Sequence, residues 1–267
     1  MCMDISARRE LVVERLRQLG SILVAFSGGV DSSLLAVLAK EALGNKSRCV
    51  LLDSPVVPRR AIAEAREIAR EHGLSFEIIP LDMLADDRFR ANPKERCYWC
   101  KKHSIAVLKK RATELGCACI ADGMNVSDTE EHRPGLRATR EEGILHPFID
   151  AGMTKADIRA TARAMHLPFS DKPSAACLSS RIPYGAEITV DSLRMIEEAE
   201  AFLYARGFSQ VRVRLHGKVA RIEVPDAEMQ KLLDIHGTVV HTLKTIGFSY
   251  VTLDIEGYRS GSMDEVI

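Results

Sequence analysis

The sequence predicts an α/β protein: a parallel sheet with helices on both faces, followed by a small C-terminal α+β domain. Three observations carry this. Short apolar runs alternate with helix-spaced segments as far as Ala121, the βαβ pattern of a parallel sheet. One run, Ile22 to Phe26, breaks at Ser27-Gly28-Gly29 and resumes at once as an apolar helix, Val30 to Leu43, with Gly44 as its stop. Beyond Ala186 the pattern changes to helix, two strands, helix and strand. The expected boundaries are a sheet domain over 1–170, a connecting segment over 171–186 and the C-terminal domain over 187–267.

Taken in order, residues 6 to 19 set Leu11, Val12, Leu16 and Leu19 at helical spacing, and Gly20 ends that helix. Cys49 to Leu52 is a second apolar strand, closing at Asp53-Ser54-Pro55. Ligands of open parallel sheets bind outside the carboxyl ends of the strands, so Asp53 and Ser54 are expected beside the first glycine turn, where an adenosine would lie. Arg60 to His72 is a charged amphipathic helix stopped by Gly73, and Phe76 to Pro80 is a third strand. Residues 82 to 96 lose the periodicity, and Asn92-Pro-Lys-Glu-Arg-Cys97-Tyr-Trp-Cys100-Lys-Lys-His103 leads into a helix ending near Leu115. Cys117 to Ala121 is a further strand. The polar loop after it carries Gly123, Asn125, Asp128 and Arg133, an amide, a carboxylate and a guanidinium for phosphate or metal.

Ile144 to Ile149 reads as a short extended segment, and Thr154 with Asp157 as the capping pair of a helix to Met165. Asp171 to Gly185 is too rich in Pro, Ser and Gly for a regular element and bridges the domains. The second domain reads as helix Val190 to Arg206, strands Gln210 to Leu215 and Val219 to Val224, helix Asp226 to Gly247 with Gly237 as a breaking point, and strand Tyr250 to Ile255. On the first of these strands Val211, Val213 and Leu215 face one way and Arg212, Arg214 and His216 the other. That basic row is either a solvated face or a phosphate site.

With 267 residues and 46% hydrophobic content, the chain can bury a core in one large or two smaller domains. Its 37 Lys and Arg balance 37 Asp and Glu, so no overall field draws it to nucleic acid or to a membrane. No apolar run reaches the roughly 18–20 residues of a spanning helix, and the N-terminal residues do not read as a signal peptide. A cytoplasmic, reducing location is expected. There the seven cysteines should be thiols, metal ligands or catalytic groups rather than disulfides. Cys49, Cys117 and Cys119 sit in apolar runs and read as small buried hydrophobes, and Cys2 is terminal. Cys97, Cys100 and Cys177 have polar and aromatic neighbours in loop-like surroundings and need a chemical explanation.

Strand, glycine turn and helix N-terminus together present several backbone N–H groups to one anion. Gly28 and Gly29 permit positive φ and let a phosphate approach the backbone, and Val30 opens the helix behind them. Ser27, Ser32 and Ser33 add hydroxyls, and Asp31 stands where a divalent metal on a polyphosphate could be held. No lysine follows the glycines, so this is not a Walker loop. The Cys97-x-x-Cys100 spacing serves zinc, iron–sulfur clusters and redox dithiols alike. Zinc would need a fourth ligand beside Cys177, with His103 the nearest candidate; three thiolates on a four-iron cluster would leave one iron open to an exogenous sulfide. The flanking cations of Lys94, Arg96, Lys101, Lys102 and His103 favour thiolates.

Ser27-Gly-Gly-Val-Asp-Ser32 resembles the pyrophosphate loop of the ATP pyrophosphatases, which split ATP into AMP and pyrophosphate to activate a carbonyl-type oxygen. Together with Arg96-Cys-Tyr-Trp-Cys-Lys101, the Asp122-to-Gly135 loop and Ala176-Cys-Leu-Ser-Ser-Arg-Ile-Pro-Tyr-Gly185, it resembles the LarE family of ATP-dependent sulfur transferases in nickel-pincer cofactor synthesis. The resemblance implies a PP-loop domain of the adenine nucleotide alpha hydrolase kind with a small C-terminal domain, a homo-oligomer, and use of ATP with Mg2+. It implies adenylation of the carboxylates of pyridinium-3,5-biscarboxylic acid mononucleotide, then sulfur insertion. Either a cysteine matching Cys177 gives up its own sulfur, or Cys97, Cys100 and Cys177 ligate a [4Fe-4S] cluster fed by sulfide or a sulfur-donor protein. The presence of Cys97 and Cys100 favours the cluster. By the same resemblance Ser180 and Arg181 join Cys177 in the active site, and Arg212 and Arg214 take the substrate phosphate. Two other readings compete. A tRNA thiolase is disfavoured by the neutral charge and compact C-terminal domain; a nucleotide-binding regulatory domain with a structural zinc would release no pyrophosphate.

Overall fold

The alternating N-terminal segments fold into a four-stranded, all-parallel sheet of order β3-β2-β1-β4. The computed structural model describes residues 4–129, 134–173, 176–259 and 261–263. Its elements run α1 (Ile5–Gln18), β1 (Ile22–Ala25), α2 (Val30–Leu43), β2 (Ser47–Asp53), α3 (Arg59–Glu71), β3 (Phe76–Pro80), α4 (Asp87–Arg90), α5 (Arg96–Glu114), β4 (Cys119–Ala121), α6 (Pro134–Glu141), α7 (Pro147–Asp150) and α8 (Lys155–Ala164). There follow α9 (Val190–Tyr204), β5 (Arg212–His216), β6 (Val219–Glu223), α10 (Asp226–Asp234), α11 (His236–Ile246) and β7 (Tyr250–Leu253).

Two compact units result. The first takes Met1–Ser54, Arg59–Asp82 and Glu95–Ala175; the second takes Pro55–Pro58, Met83–Lys94 and Ala176–Ile267. In the first, β1 is apolar at every position because both faces of a parallel sheet are covered. Leu23, Val50 and Ile120 pack with Ile105, Leu108 and Ala112 of α5 on one face. Helix α2 packs on β1 and β2 from the other face, backed by α1 and α8. Parallel pairing, with Val24 opposite both Cys49 and Ala121, brings the carboxyl ends of β1, β2 and β4 to one edge. The expected cap of α8 is present: Thr154 and Asp157 exchange side-chain and backbone hydrogen bonds at 2.9 and 3.2 Å.

The second unit is a three-stranded sheet, β5 antiparallel to β6 and β6 parallel to β7. A capping box of Thr189 and Ser192 opens α9, which packs on β5, and α11 packs on α9 and β7. The unit recruits two pieces that the sequence reading left in the sheet domain. Asn92, fully buried and at φ 53°, donates its amide to the carbonyls of Ile182 and Pro183 at 3.3 and 2.8 Å and accepts from Gly185 N at 2.9 Å. Leu178 N donates to Val56 O at 2.8 Å.

Three expectations need correction. Ile144 to Ile149 is not an extended segment: Leu145 makes one parallel bridge to Ala121, and Pro147, with its φ preset for a helix, then opens α7. The long helix to Gly247 breaks at Ile235, not at Gly237, which lies inside α11. Cys97 and Cys100 are not in a loop but are the second and fifth residues of α5. Among the described residues, no helix is long and apolar enough to cross a membrane.

Candidate active site

The chain leaves β1 with Phe26 N bonded to Val50 O at 2.9 Å, then turns at Ser27-Gly28-Gly29. Gly28 sits at φ 71°, and a Cβ there would lie 2.6 Å from Ala65 Cβ of α3, so both backbone conformation and space demand glycine. Gly29, the N-cap of α2, has φ −76° and no side-chain cap, which leaves the first N–H groups of the helix for a ligand. The Ser32 hydroxyl accepts from Ser27 N at 3.1 Å, lies 3.0 Å from Ser27 Oγ and donates to Gly29 O at 3.2 Å, cross-tying the turn. From the end of β4, Gly123 comes up against the start of α2; a Cβ on it would lie 2.7 Å from Ser32 N and 2.8 Å from the Asp31 carbonyl carbon.

Asp31 Oδ1, Ser33 Oγ and Ser54 Oγ are buried with no hydrogen-bond partner. Buried polar atoms are almost always satisfied, so the unpartnered oxygens of Asp31 and Ser33, in the helix turn that directly follows the glycines, fit a loop built for a phosphate and its cation. The other Asp31 oxygen receives Lys155 Nζ, from the first residue of α8. Lys172 Nζ donates to Gly28 O at 2.7 Å and pairs with Glu64 at 2.8 Å, bracing the turn from the far side. Asp53 is held by Arg59 at 2.5 Å, and Arg59 also donates to Ser54 O at 2.8 Å.

Behind the turn lies a buried polar chain. Asp122 Oδ1 is 2.8 Å from His146 Nδ1, His146 Nε2 is 3.2 Å from Thr139 Oγ1, and Lys101 Nζ is 3.5 Å from Asp122 Oδ2. Burial raises the Asp122 carboxyl, but Lys101, then His146 and Met124 N–H, outweigh it and hold the group below the usual aspartate value. Asn125 and Asp128 turn inward on their own loop: Ser127 N donates to Asn125 Oδ1 and Asn125 N to Asp128 Oδ2, both at 3.0 Å. Arg133 lies outside the described residues.

Cys97 is exposed and Cys100 half-buried, three residues apart and therefore on one face of α5. The cations beside them have acidic partners: Lys101 meets Asp122, and Lys102 meets Glu141 at 3.1 Å and Glu142 at 2.5 Å. Cys177 stands in the second unit, just before a 3-10 turn, Leu178–Arg181, with its Sγ 2.9 Å from Ser179 Oγ. Among the described residues, no group of three His, Cys, Asp or Glu side chains is arranged to hold a metal ion.

Arg181 is 1% exposed, and its guanidinium is engaged on every side. Nε and Nη2 grip Glu200 at 2.9 and 3.0 Å, while Nη1 donates to Ala176 O, Cys177 O and Ser180 Oγ. Arg214 is likewise tied to Glu223 at 3.0 and 2.8 Å and to Ser180 O at 3.0 Å, and Arg212 lies over the Tyr258 ring.

Comparison with known proteins places the chain. A model of the NAD synthase family matches residues 6–101. The pyridinium-3,5-bisthiocarboxylic acid mononucleotide synthase of Lactiplantibacillus plantarum is 35% identical over 264 residues, 98% of this chain and 96% of that one. The chain belongs to the LarE family. Uncharacterized proteins of Synechocystis (38% identical, 97% of this chain and 98% of its own) and of Methanocaldococcus jannaschii (33%, 90% and 91%) are similar along most of their lengths. With the pyrophosphate loop intact, this LarE-family chain is an ATP-dependent enzyme.

The loop residues expected from sequence, Ser27 to Ser33 with Gly123, come together in the first unit, and Ser54 follows the end of β2 in the same unit. Cys177, Ser180, Arg181 and Arg214 come together in the second. Arg212 and Arg214 do not form a solvated face; both are buried, under Tyr258 and Glu223. Sequence reading missed Lys155, Lys172, His146, Glu200 and Glu223. No local signal marks them. Each acts through a partner many residues away.

Proposed function

We propose that this chain, like its Lactiplantibacillus relative, makes pyridinium-3,5-bisthiocarboxylic acid mononucleotide, the thiolated nucleotide of nickel-pincer cofactor synthesis. The observation that carries the reading is the end-to-end match to that synthase, joined to a glycine turn followed by the buried, unpartnered oxygens of Asp31 and Ser33. The substrate is pyridinium-3,5-biscarboxylic acid mononucleotide. A carboxylate oxygen attacks the α-phosphorus of ATP, the bond to the bridging oxygen breaks, and pyrophosphate leaves. A sulfur nucleophile then attacks the acyl carbon and AMP departs, leaving a thiocarboxylate; the second carboxylate is converted by the same steps with a second ATP and a second sulfur.

In this reading the N–H groups opening α2, with Ser27, Ser32 and Ser33, take the pyrophosphate, and Asp31 holds its Mg2+. Asp53 and Ser54 flank the adenosine; Gly123, Asn125 and Asp128 form the other wall. Arg212 and Arg214 receive the mononucleotide phosphate, with Glu223 bracing Arg214. The thiols of Cys97, Cys100 and Cys177 suit a soft metal, and together they would hold a [4Fe-4S] cluster supplying sulfur that originates from sulfide or a donor protein.

A second reading rests on one observation: Cys97 and Cys100 belong to one unit and Cys177 to the other. Here Cys177 Sγ itself attacks the acyl adenylate, AMP leaves, and loss of the Cα proton cleaves the Cβ–S bond. The products are the thiocarboxylate and dehydroalanine. Arg181 would hold the loop during that step.

The test is anaerobic reaction of the protein with ATP, Mg2+ and the biscarboxylic mononucleotide. Expected are pyrophosphate, AMP and a sulfur-bearing product, all reduced more than 100-fold by Asp31→Asn. Pyrophosphate release without any sulfur product would refute the transferase reading. Iron and sulfide analysis with whole-protein mass then separates the two sulfur sources. Multiple turnover lost in Cys97→Ala supports the cluster; dehydroalanine at Cys177, made equally by the Cys97→Ala, Cys100→Ala variant, supports the sacrificial route.

A further inference from the structure

Three residues beyond β7 cover three arginines of the small sheet. Tyr258 lies over Arg212, Ser262 Oγ accepts from Arg214 Nη2 at 3.0 Å, and Met263 Sδ is 3.6 Å from Arg221 Nη2. Ser262 and Met263 are both buried. The turn that leaves β7 aims the chain there. Asp254 N donates to Ile222 O at 2.8 Å and Tyr258 N to Val224 O at 2.9 Å. Between them Gly257 sits at φ 71°, and a Cβ on it would lie against Asp226 Oδ1 and 3.2 Å from Val224 O, so the return requires glycine.

The hydrogen bonds of Arg214 show what this cover does. A guanidinium carries five N–H donors in a fixed fork. Nε and one N–H of Nη2 go to Glu223, the other N–H of Nη2 goes to Ser262 Oγ, and one N–H of Nη1 goes to Ser180 O. Among the described residues, that leaves one N–H, on Nη1. A phosphate gripped by two parallel N–H groups needs two, so the fork opens only when one present partner gives up its bond. Glu223 cannot be that partner. It is wholly buried and also accepts from Arg221 Nη2 at 3.0 Å, and parting it from Arg214 would strand charges in the interior. Ser262 carries no charge, and a phosphate oxygen would replace its contact with a stronger, charge-assisted one.

We infer that Ser262 is a specificity residue of the phosphate site: its hydroxyl keeps the place of a phosphate oxygen on Arg214 Nη2, and a phosphorylated ligand binds by displacing it. The inference rests on the proposed role of Arg214 at the substrate phosphate. It adds a selection step, because a ligand without a phosphate has nothing that repays the lost bond and leaves Ser262 where it is.

Calorimetric titration of the full chain without ATP, so that nothing turns over, tests this with three titrants: the biscarboxylic mononucleotide, its dephosphorylated nucleoside and inorganic phosphate. Ser262→Ala should bind the mononucleotide and inorganic phosphate roughly 2- to 10-fold more tightly than the unaltered protein, because one hydrogen bond no longer has to be broken, and should bind the nucleoside equally. Ser262→Cys, a weaker acceptor of nearly the same size, should fall between the two and carries the test if Ser262→Ala does not fold. Unchanged or weaker binding of the phosphate-bearing titrants would overturn the assignment, and so would equal tightening of the nucleoside. If inorganic phosphate tightens as expected while the mononucleotide binds no better than the nucleoside, the proposed substrate phosphate is overturned and the role of Ser262 stands. Failure of the unaltered protein to bind either phosphate-bearing titrant would overturn both.

Discussion

The two glycines of the nucleotide turn look alike in sequence and should behave oppositely when changed to alanine. Gly28 lies at φ 71°, where an L side chain costs about 1–2 kcal/mol, and the new Cβ would sit 2.6 Å from Ala65 Cβ and 2.9 Å from Ala65 Cα. Relief requires moving α3, an overpacking penalty of about 1–3 kcal/mol. The sum for Gly28→Ala is about 2–5 kcal/mol, or roughly 4–20 °C in melting temperature for a domain of this size. Gly29 has an ordinary φ, and its Cβ would meet Ser27 Oγ at 3.4 Å, an ordinary contact. Gly29→Ala should therefore cost under about 1 kcal/mol of stability, the difference between two N-cap residues. Its methyl would instead stand where a phosphate must approach, so ATP cleavage should fall more than tenfold. Thermal melts with pyrophosphate release check both arms. The Ala65→Gly background isolates the overlap: in a double-mutant cycle it should recover about 1–3 kcal/mol of the Gly28→Ala loss. A Gly28→Ala protein that melts like the unaltered one would refute the reasoning. So would a Gly29→Ala protein that is unstable but still cleaves ATP.

Glu200→Gln leaves the buried Arg181 guanidinium without its counter-charge and should destabilise the second unit by about 3–5 kcal/mol, read by urea unfolding, with ATP binding unchanged. Asp122 is held below its ordinary value of 3.8, so its contribution to stability is present above that pH and is lost as pH falls through the lower folded value. The acid limb of a melting-temperature profile should therefore flatten in Asp122→Asn. Burial pushes the Cys49 thiol up to about 12, so at pH 8 iodoacetamide should modify exposed Cys97 and spare Cys49 in peptide maps of the folded protein. With a raised folded value, the stabilisation from Cys49 is complete below its ordinary 9.0 and disappears as pH rises toward 12; in Cys49→Ala that alkaline loss should be absent.

What could be read from sequence was local. The glycine turn is legible because its strand, its glycines, its serines and Asp31 are consecutive, and their spacing alone states that an anion meets a helix N-terminus. The parallel sheet is legible because burial on both faces leaves continuous apolar runs. The partners of the site are not local. Lys155 is 124 residues from Asp31, and His146 is 24 from Asp122; only the packing of α8 on α2, and the bridge from Leu145 to Ala121, brings them together. Pro147 defeats the strand expectation because its ring fits the first turn of a helix as readily as an edge strand.

The basic row of β5 shows most directly where periodicity stops being informative. Alternation assigns Arg212 and Arg214 to one face correctly but says nothing about what covers that face. The cover comes from Tyr258 over Arg212 and from Glu223 at the end of β6 on Arg214, and a second buried glutamate, Glu200 inside the charged helix α9, pairs with Arg181. Glu200 accepts from Arg181 and from Val213 N at 3.0 Å, and Glu223 accepts from Arg214, Arg221 and Ser262. Buried charges are tolerated when each has its counter-charge and its hydrogen bonds, so each of these arginines and glutamates depends on its partner. The Arg181–Glu200 pair grips the backbone on which Cys177 is mounted, and the Arg214–Glu223 pair holds Ser180 O. Arg214, on a charged strand that first suggests solvent or ligand, is therefore in its immediate contacts part of the framework that fixes the cysteine loop, and a substrate phosphate reaching it must be recognised by a cation already committed to that framework.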